Sequence, residues 1–257
     1  MDIVVSQVGQ VALLELSNPP LNVVTLALTR ELGAALADLE CDRSVRALVV
    51  TGAGDRAFCA GSDIRELPEL ASPGLAVERK LRPQNQVFDR LAGFPKPTVA
   101  ALNGLTLGGG LEIALCCDFL VAGSDVEVGL PEIRLGVFPS SGGPLRLQRR
   151  IGPTRAKEMI FLGERIDAAT AQTWGLVNKV VPPGLARQEA LALATRLSEG
   201  PRRALELVKG LIDQSAAMST DEAIARSLTL SDEVFSSEEC REGVSAFLEK
   251  RRPRFDA

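Results

Sequence analysis

Apolar and polar positions alternate along residues 1–16, with Val11 and Leu13 on one phase and Leu14 and Leu16 on the other. This period of two predicts a pair of short strands around a turn at Gly9-Gln10. From 25 to 40 the period lengthens: Leu28, Leu32, Ala35, Leu36 and Leu39 recur at helical spacing. The run 47–51, ALVVT, then reads as a short buried strand closed by Gly52. The rhythm repeats downstream. A charged amphipathic helix over 76–91 is broken by Pro95 and Pro97 and followed by a strand over 98–102. A helix opens at the glycines from Gly108, and short strands are expected over 119–122 and 126–128. Helices follow over 145–151 and 153–162, split at Gly152-Pro153, and a helix over 168–174 ends at Gly175. A strand over 177–181 stops at Pro182-Pro183. Strands alternating with helices argue for the α/β class.

From about Leu185 the strand signals cease. Segments 187–198, 202–214, 220–235 and 238–249 all carry helical periodicity. The expected organisation is an α/β core over 1–195 and a helical region over 196–257. Apolar helix faces at a chain end suit docking on another subunit, so a homo-oligomer is expected.

Composition narrows the function classes. A net charge of −4 gives no electrostatic case for nucleic acid. The five cysteines include no Cys-x-x-Cys and there is no histidine, so no metal site is expected. Unpaired thiols fit a reducing compartment, here the cytoplasm. The N-terminus lacks the basic region of a signal peptide. The apolar stretch 98–122 holds Asn103, Glu112 and Asp118 and reads as soluble core, not a membrane span.

Without histidine or tyrosine, proton transfer near neutral pH falls to carboxylates, cysteines or lysines. Two acids stand out. Glu112 ends the string NGLTLGGGLE inside an apolar helix, where an unpaired carboxylate is costly and burial raises its pKa. Glu132 follows in GLPEIRLG. Two small-residue loops, AFCAGSDIREL and the one holding Gly108, Gly109 and Gly110, end at helix starts where backbone amides point outward. Amides from two such loops would form an oxyanion hole, although glycine triplets also serve as packing devices. A G-x-G-x-x-A string from Gly52 follows a strand, but no helix opens at its glycines, so dinucleotide binding is not expected.

Taken together, AFCAGSDIREL, KPTVAALNGLTLGGGLEIALCCD, GLPEIRLGVFP, IGPTRAKEM, AATAQTWGLVNKVVP and FLEKRRPRF resemble the crotonase (enoyl-CoA hydratase/isomerase) family, in family order over nearly the whole chain. The resemblance implies a crotonase-like (ClpP/crotonase) spiral of ββα units with a helical C-terminal trimerisation region. It implies an acyl-CoA thioester substrate, with coenzyme A part of the substrate and no separate cofactor. The amides that polarise the thioester carbonyl fall on Ser62 and Gly109. Ala60, Asp63 and Ile64 fall where family backbone holds the adenine end, and Gly108 and Ser140 fall beside the acyl site. Glu112 and Glu132 fill both hydratase acid positions. Glu112 would assist attack of water on Cβ, and Glu132 would deliver or remove the Cα proton. Phe247 and Lys250 match a terminal region that reaches a neighbour's site in a homotrimer or a hexamer built from two trimers.

The loop after the second acid departs from the family's P-G-A-G-G-T-Q and reads Pro139-Ser140-Ser141-Gly142-Gly143-Pro144-Leu145. The implied activity is enoyl-CoA hydration or its reverse. Double-bond isomerisation, or other enolate chemistry in the same fold, is the enzymatic alternative. Coenzyme binding without catalysis is the non-enzymatic one.

Overall fold

The computed structural model describes residues 2–255. Strands β1 (Ile3–Val8) and β2 (Val11–Leu16) pair antiparallel around the expected turn, from Ile3 opposite Leu16 to Val8 opposite Val11. Helix α1 (Leu26–Cys41) starts at Thr25, whose hydroxyl accepts the Leu28 N–H. Strands β3 (Ala47–Gly52), β5 (Thr98–Leu102), β7 (Phe119–Gly123) and β10 (Lys179–Val181) extend the sheet in the order β1-β2-β3-β5-β7-β10. Every pairing beyond β2 is parallel. Parallel neighbours need crossovers, and the intervening helices supply them.

A second sheet escapes the periodicity reading. Strands β4 (Ala57–Cys59), β6 (Leu105–Leu107), β8 (Glu127–Gly129) and β9 (Arg165–Asp167) form it in the order β4-β6-β8-β9. Of these, β8 lies within one residue of the sequence expectation, while β4, β6 and β9 are additions. Three residues are too few to display a period of two. The pairs β3/β4, β5/β6 and β7/β8 each send one strand to the large sheet and the next to the small one. This makes the winding of ββα units the expected spiral.

Helix α2 (Arg82–Ala92) continues a π-helical turn, Val77–Leu81, whose Lys80 is buried against Glu66 with Nζ 2.6 Å from Oε2. Helix α3 (Gly109–Ala114) is short, and all six of its residues are buried. Helix α4 (Gly143–Leu162) bends at Gly152, where φ is 78° ahead of Pro153. Helix α5 (Ala168–Thr173) is capped by Trp174, and the Arg155 guanidinium lies 5.6 Å from the centre of that ring.

Two apolar layers flank the large sheet. On one face Leu14, Leu16, Leu48, Val50, Ala100 and Leu102 join the main core with α1 to α4. On the other, Val11, Leu13, Ala47, Val49, Val99 and Val121 meet Ala186, Ala190 and Ala194 of α6 (Ala186–Ser198). An alanine stripe four residues apart lets that helix lie close to the strands. The boundary at 195 therefore falls inside a helix that packs on the sheet. Beyond it run α7 (Arg202–Ser215), α8 (Thr220–Phe235) and α9 (Glu238–Leu248). The start of α8 is a capping box in which Ser219 and Glu222 exchange bonds. Among the described residues of α7 and α8, none is fully buried.

Candidate active site

Two glycine loops meet beside α3. Val24 N–H donates to Gly61 O at 2.8 Å, and Asp63 N–H donates to Val24 O at 3.0 Å. This bridge fixes the backbone on both sides of Ser62, with Gly61 at φ +106°. The second loop turns at Gly108, whose φ is 51° and whose N–H donates to Gly129 O. The two come close: a methyl built on Gly109 would lie 3.6 Å from Ser62 N, and one on Gly61 would lie 3.8 Å from Gly109 N. Among the described residues, neither the Ser62 nor the Gly109 N–H meets an acceptor.

Glu112 projects from α3 into a cradle built much later in the chain. Its Oε1 accepts the Ser141 N–H at 2.7 Å and the Gly143 N–H at 2.8 Å. Gly143 is the first residue of α4, so the carboxylate sits at the positive end of a long helix, which favours its charged form. Burial raises its pKa above the ordinary carboxylate value, and the two amides and the nearby Arg146 charge offset only part of that rise. Only glycine fits at 143, because a methyl there would approach Glu112 Oε1 to 2.8 Å and Pro139 Cβ to 2.9 Å.

Glu132 lies in a 3-10 turn, Pro131–Leu135, at the rim of the same glycine loop. A methyl on Gly108 would lie 2.8 Å from its Oε1. Its Oε2 is buried, with no hydrogen-bond partner among the described residues. Burial pushes Glu132 up to about 7; its own backbone N–H opposes this, and the charge of Glu112 adds to the rise. The two acids thus differ physically. Glu112 is solvated by backbone dipoles, whereas Glu132 has lost water and gained little in return. Near neutral pH Glu132 retains its proton to a substantial degree, and the charge of Glu112 beside it favours that.

This difference has a measurable consequence for stability. The folded-state pKa of Glu132 is raised, so the native state binds the extra proton between the ordinary carboxylate range and about pH 7. The stability from this group is complete below that ordinary range and is lost as the pH rises through about 7. Glu132→Gln stays neutral throughout. Its melting temperature should therefore gain on the wild type between about pH 4.5 and about pH 8. A constant gap across that window would show that Glu132 ionises normally in the fold.

The remaining sequence candidates fall as follows. The Ala60 N–H is taken by Leu21 O, and Asp63 caps a single 3-10 turn, Ile64–Glu66, while also pairing with Arg65 at 2.7 Å. Ile64 is exposed. The Ser140 hydroxyl turns back to Phe138 O at 2.8 Å. Phe247 is exposed near the end of α9, and the Lys250 N–H bonds back to Phe247 O. Asp118, within the apolar stretch 98–122, accepts the Thr98 N–H and hydroxyl and pairs with Lys209 at 2.9 Å. At Gly52, β3 ends in a turn into β4 rather than a helix, so the glycine string there forms no dinucleotide loop.

Sequence reasoning missed the residues behind the Glu112 cradle. Arg146 Nη1 donates to Ser141 O at 3.0 Å, and Asn85 Nδ2 donates to Ser140 O at 2.9 Å. The signal was the Gly142-Gly143 pair ahead of a helix, which announces a tight turn but not what it holds.

Residues 7–257 match the family model for enoyl-CoA hydratase/isomerase. The chain belongs to that family. It is 38% identical over 255 residues to the 2,3-dehydroadipyl-CoA hydratase of Escherichia coli, covering 99% of this chain and 98% of that one. It is 36% identical over 254 residues to the short-chain-enoyl-CoA hydratase of Clostridium acetobutylicum, covering 98% and 96%. Among solved structures, an enoyl-CoA hydratase from Bacillus anthracis superposes with a TM-score of 0.94 at 33% identity, covering 99% of both chains. The family's crotonase fold is thus the fold of this chain, and the winding of its two sheets is what brings the loops at 62 and 109 together.

Proposed function

We propose that the protein is an enoyl-CoA hydratase that adds water across the 2,3 double bond of an acyl-CoA thioester, or removes it in reverse. The observation that carries this reading is the unequal pair of acids: Glu112 held by two N–H groups and half-buried Glu132 with one buried, orphaned oxygen. Glu132 lies against Gly108, next to the paired Ser62 and Gly109 amides, and Glu112 is one turn along α3 from Gly109.

In this scheme the two amides receive the thioester oxygen and form an oxyanion hole. A water between the acids loses a proton to Glu112 as its oxygen bonds to Cβ. The π electrons move toward Cα and the carbonyl, giving an enolate whose negative oxygen lies on the two N–H groups. Glu132 then gives its proton to Cα, and the enolate collapses to the saturated 3-hydroxyacyl thioester. Glu112 ends protonated and Glu132 ionised, and exchange through water restores the starting state. Each amide donor contributes about 3 kcal/mol of barrier lowering in comparable sites. No dissociable cofactor enters the sequence, and coenzyme A arrives as part of the substrate.

The test is the loss of conjugated-thioester absorbance on mixing with 2-enoyl-CoAs of graded chain length. Absence of hydration at every length, with coenzyme A analogues still bound, would overturn the hydratase reading. Exchange of the Cα proton without hydration would assign an isomerase instead.

We also propose that the chain assembles as a homotrimer or a pair of trimers. Ile212, Leu228, Phe235, Phe247 and Leu248 are each at least 65% exposed on the C-terminal helices, and burial against a partner subunit would remove these large apolar side chains from water. Sedimentation at the monomer mass would remove this. Among the described residues, no helix is long and apolar enough to cross a membrane.

A further inference from the structure

The cradle of Glu112 consists of two peptide groups, and each is gripped from behind. A trans peptide directs its C=O and N–H to opposite sides, so whatever holds the oxygen aims the hydrogen. The Gly143 N–H belongs to the peptide whose carbonyl is Gly142 O, and that oxygen accepts the Arg146 backbone N–H at 3.0 Å in the first turn of α4. The Ser141 N–H belongs to the peptide whose carbonyl is Ser140 O. That oxygen accepts Asn85 Nδ2 at 2.9 Å, from a different helix altogether. The same Asn85 nitrogen donates to Leu81 O at 2.8 Å, which pins the side-chain amide to its own helix. Arg146 completes the arrangement from α4: its guanidinium donates to Ser141 O, between the two peptides, and pairs with Asp89 one turn along α2 from Asn85.

We propose that Asn85 is a positioning residue for the base: through the Ser140–Ser141 peptide it holds one of the two N–H groups that fix Glu112 Oε1. This rests on the hydratase reading of the site. Asn85 reaches Glu112 only through the peptide. Hydrogen bonds in such a chain also polarise one another, so the Ser141 N–H is a stronger donor while Asn85 is in place. The other charged and titratable groups around Glu112 are Arg146 on α4, Asp89 on α2, Cys116 one turn further along α3, and Glu132 in its 3-10 turn. None of these is altered by changing Asn85.

Asn85→Ala and Asn85→Leu remove the side-chain amide. Asparagine is a poor helix former, so the gain in helix propensity offsets part of the two lost hydrogen bonds and the melting temperature should fall by no more than a few degrees. The expected result is a fall in kcat of about tenfold, the worth of one well-placed hydrogen bond, with KM little changed. The acid limb of the kcat profile should also move to higher pH, because Glu112 with a looser donor is harder to ionise. A carbon-13 carboxyl titration of Glu112 in wild type and variant, without substrate, should show the same upward displacement. Unchanged kcat and an unmoved Glu112 titration in both variants would overturn the proposal. So would a lowered melting temperature with the pH profile unmoved, since that marks a merely structural residue. Failure of the wild type to hydrate any enoyl-CoA would instead count against the function. The carboxyl titration would still decide whether Asn85 positions Glu112.

Discussion

Glu112→Gln is expected to lower the hydration rate by about a thousandfold, in the range that loss of a general base usually produces, while the protein still folds. Glutamine keeps the carbonyl oxygen that accepts the Ser141 and Gly143 N–H groups, so the cradle remains satisfied. It replaces the second carboxylate oxygen with a donor, which cannot take a proton from water. Glu112→Ala would be a poorer test. It strands two buried N–H groups, each at a cost of about 1–3 kcal/mol, and so mixes a folding defect with the chemical one. Turnover with 2-enoyl-CoA, measured alongside circular dichroism, checks the prediction. Wild-type turnover in the glutamine variant would remove Glu112 from the mechanism.

The second large effect is on the fold. At Gly110 a methyl group would lie 2.1 Å from Cys59 O, 2.7 Å from Cys59 C and 2.8 Å from Cys59 Cβ. Most of that obstruction is the backbone of β4, which cannot rotate aside like a flexible side chain. Overpacking a core usually costs about 1–3 kcal/mol, and a backbone collision lies at or above the top of that range. For a chain of this size about 3 kcal/mol corresponds to a melting temperature about 10 °C lower. Gly110→Ala should therefore melt at least that much earlier or fail to accumulate in soluble form. A variant melting within a degree or two of wild type would mean that α3 can lift from β4.

These two glycine-rich neighbourhoods show what could be read from sequence and what could not. The strings around Ser62, Gly109, Glu112 and Glu132 were legible because each is a local pattern. A buried acid in an apolar helix needs a partner, and that need was visible at Glu112. The partner was not, since the N–H groups that meet it lie 29 and 31 residues downstream. Long elements such as α1, β3 and the C-terminal helices show a clear period. By contrast, β4, β6 and β9 hold three residues each and are strands only because neighbours pair with them. Without that small sheet the approach of the two glycine loops could not be deduced. Asn85 illustrates the same limit from the other side. On sequence it is one polar residue of an amphipathic helix, and its role depends on which carbonyl the tertiary fold sets opposite it.

Trp174 is the chain's one tryptophan, and there is no tyrosine. Its ring rests partly buried against the core under the Arg155 guanidinium. Optically, one indole and nine phenylalanine rings make a low, constant background where a conjugated thioester absorbs, so hydration can be recorded with substrate in excess of enzyme. The same ring is a lone intrinsic fluorophore at the corner of α4 and α5. Its emission will report the docking of that corner without contribution from any other indole.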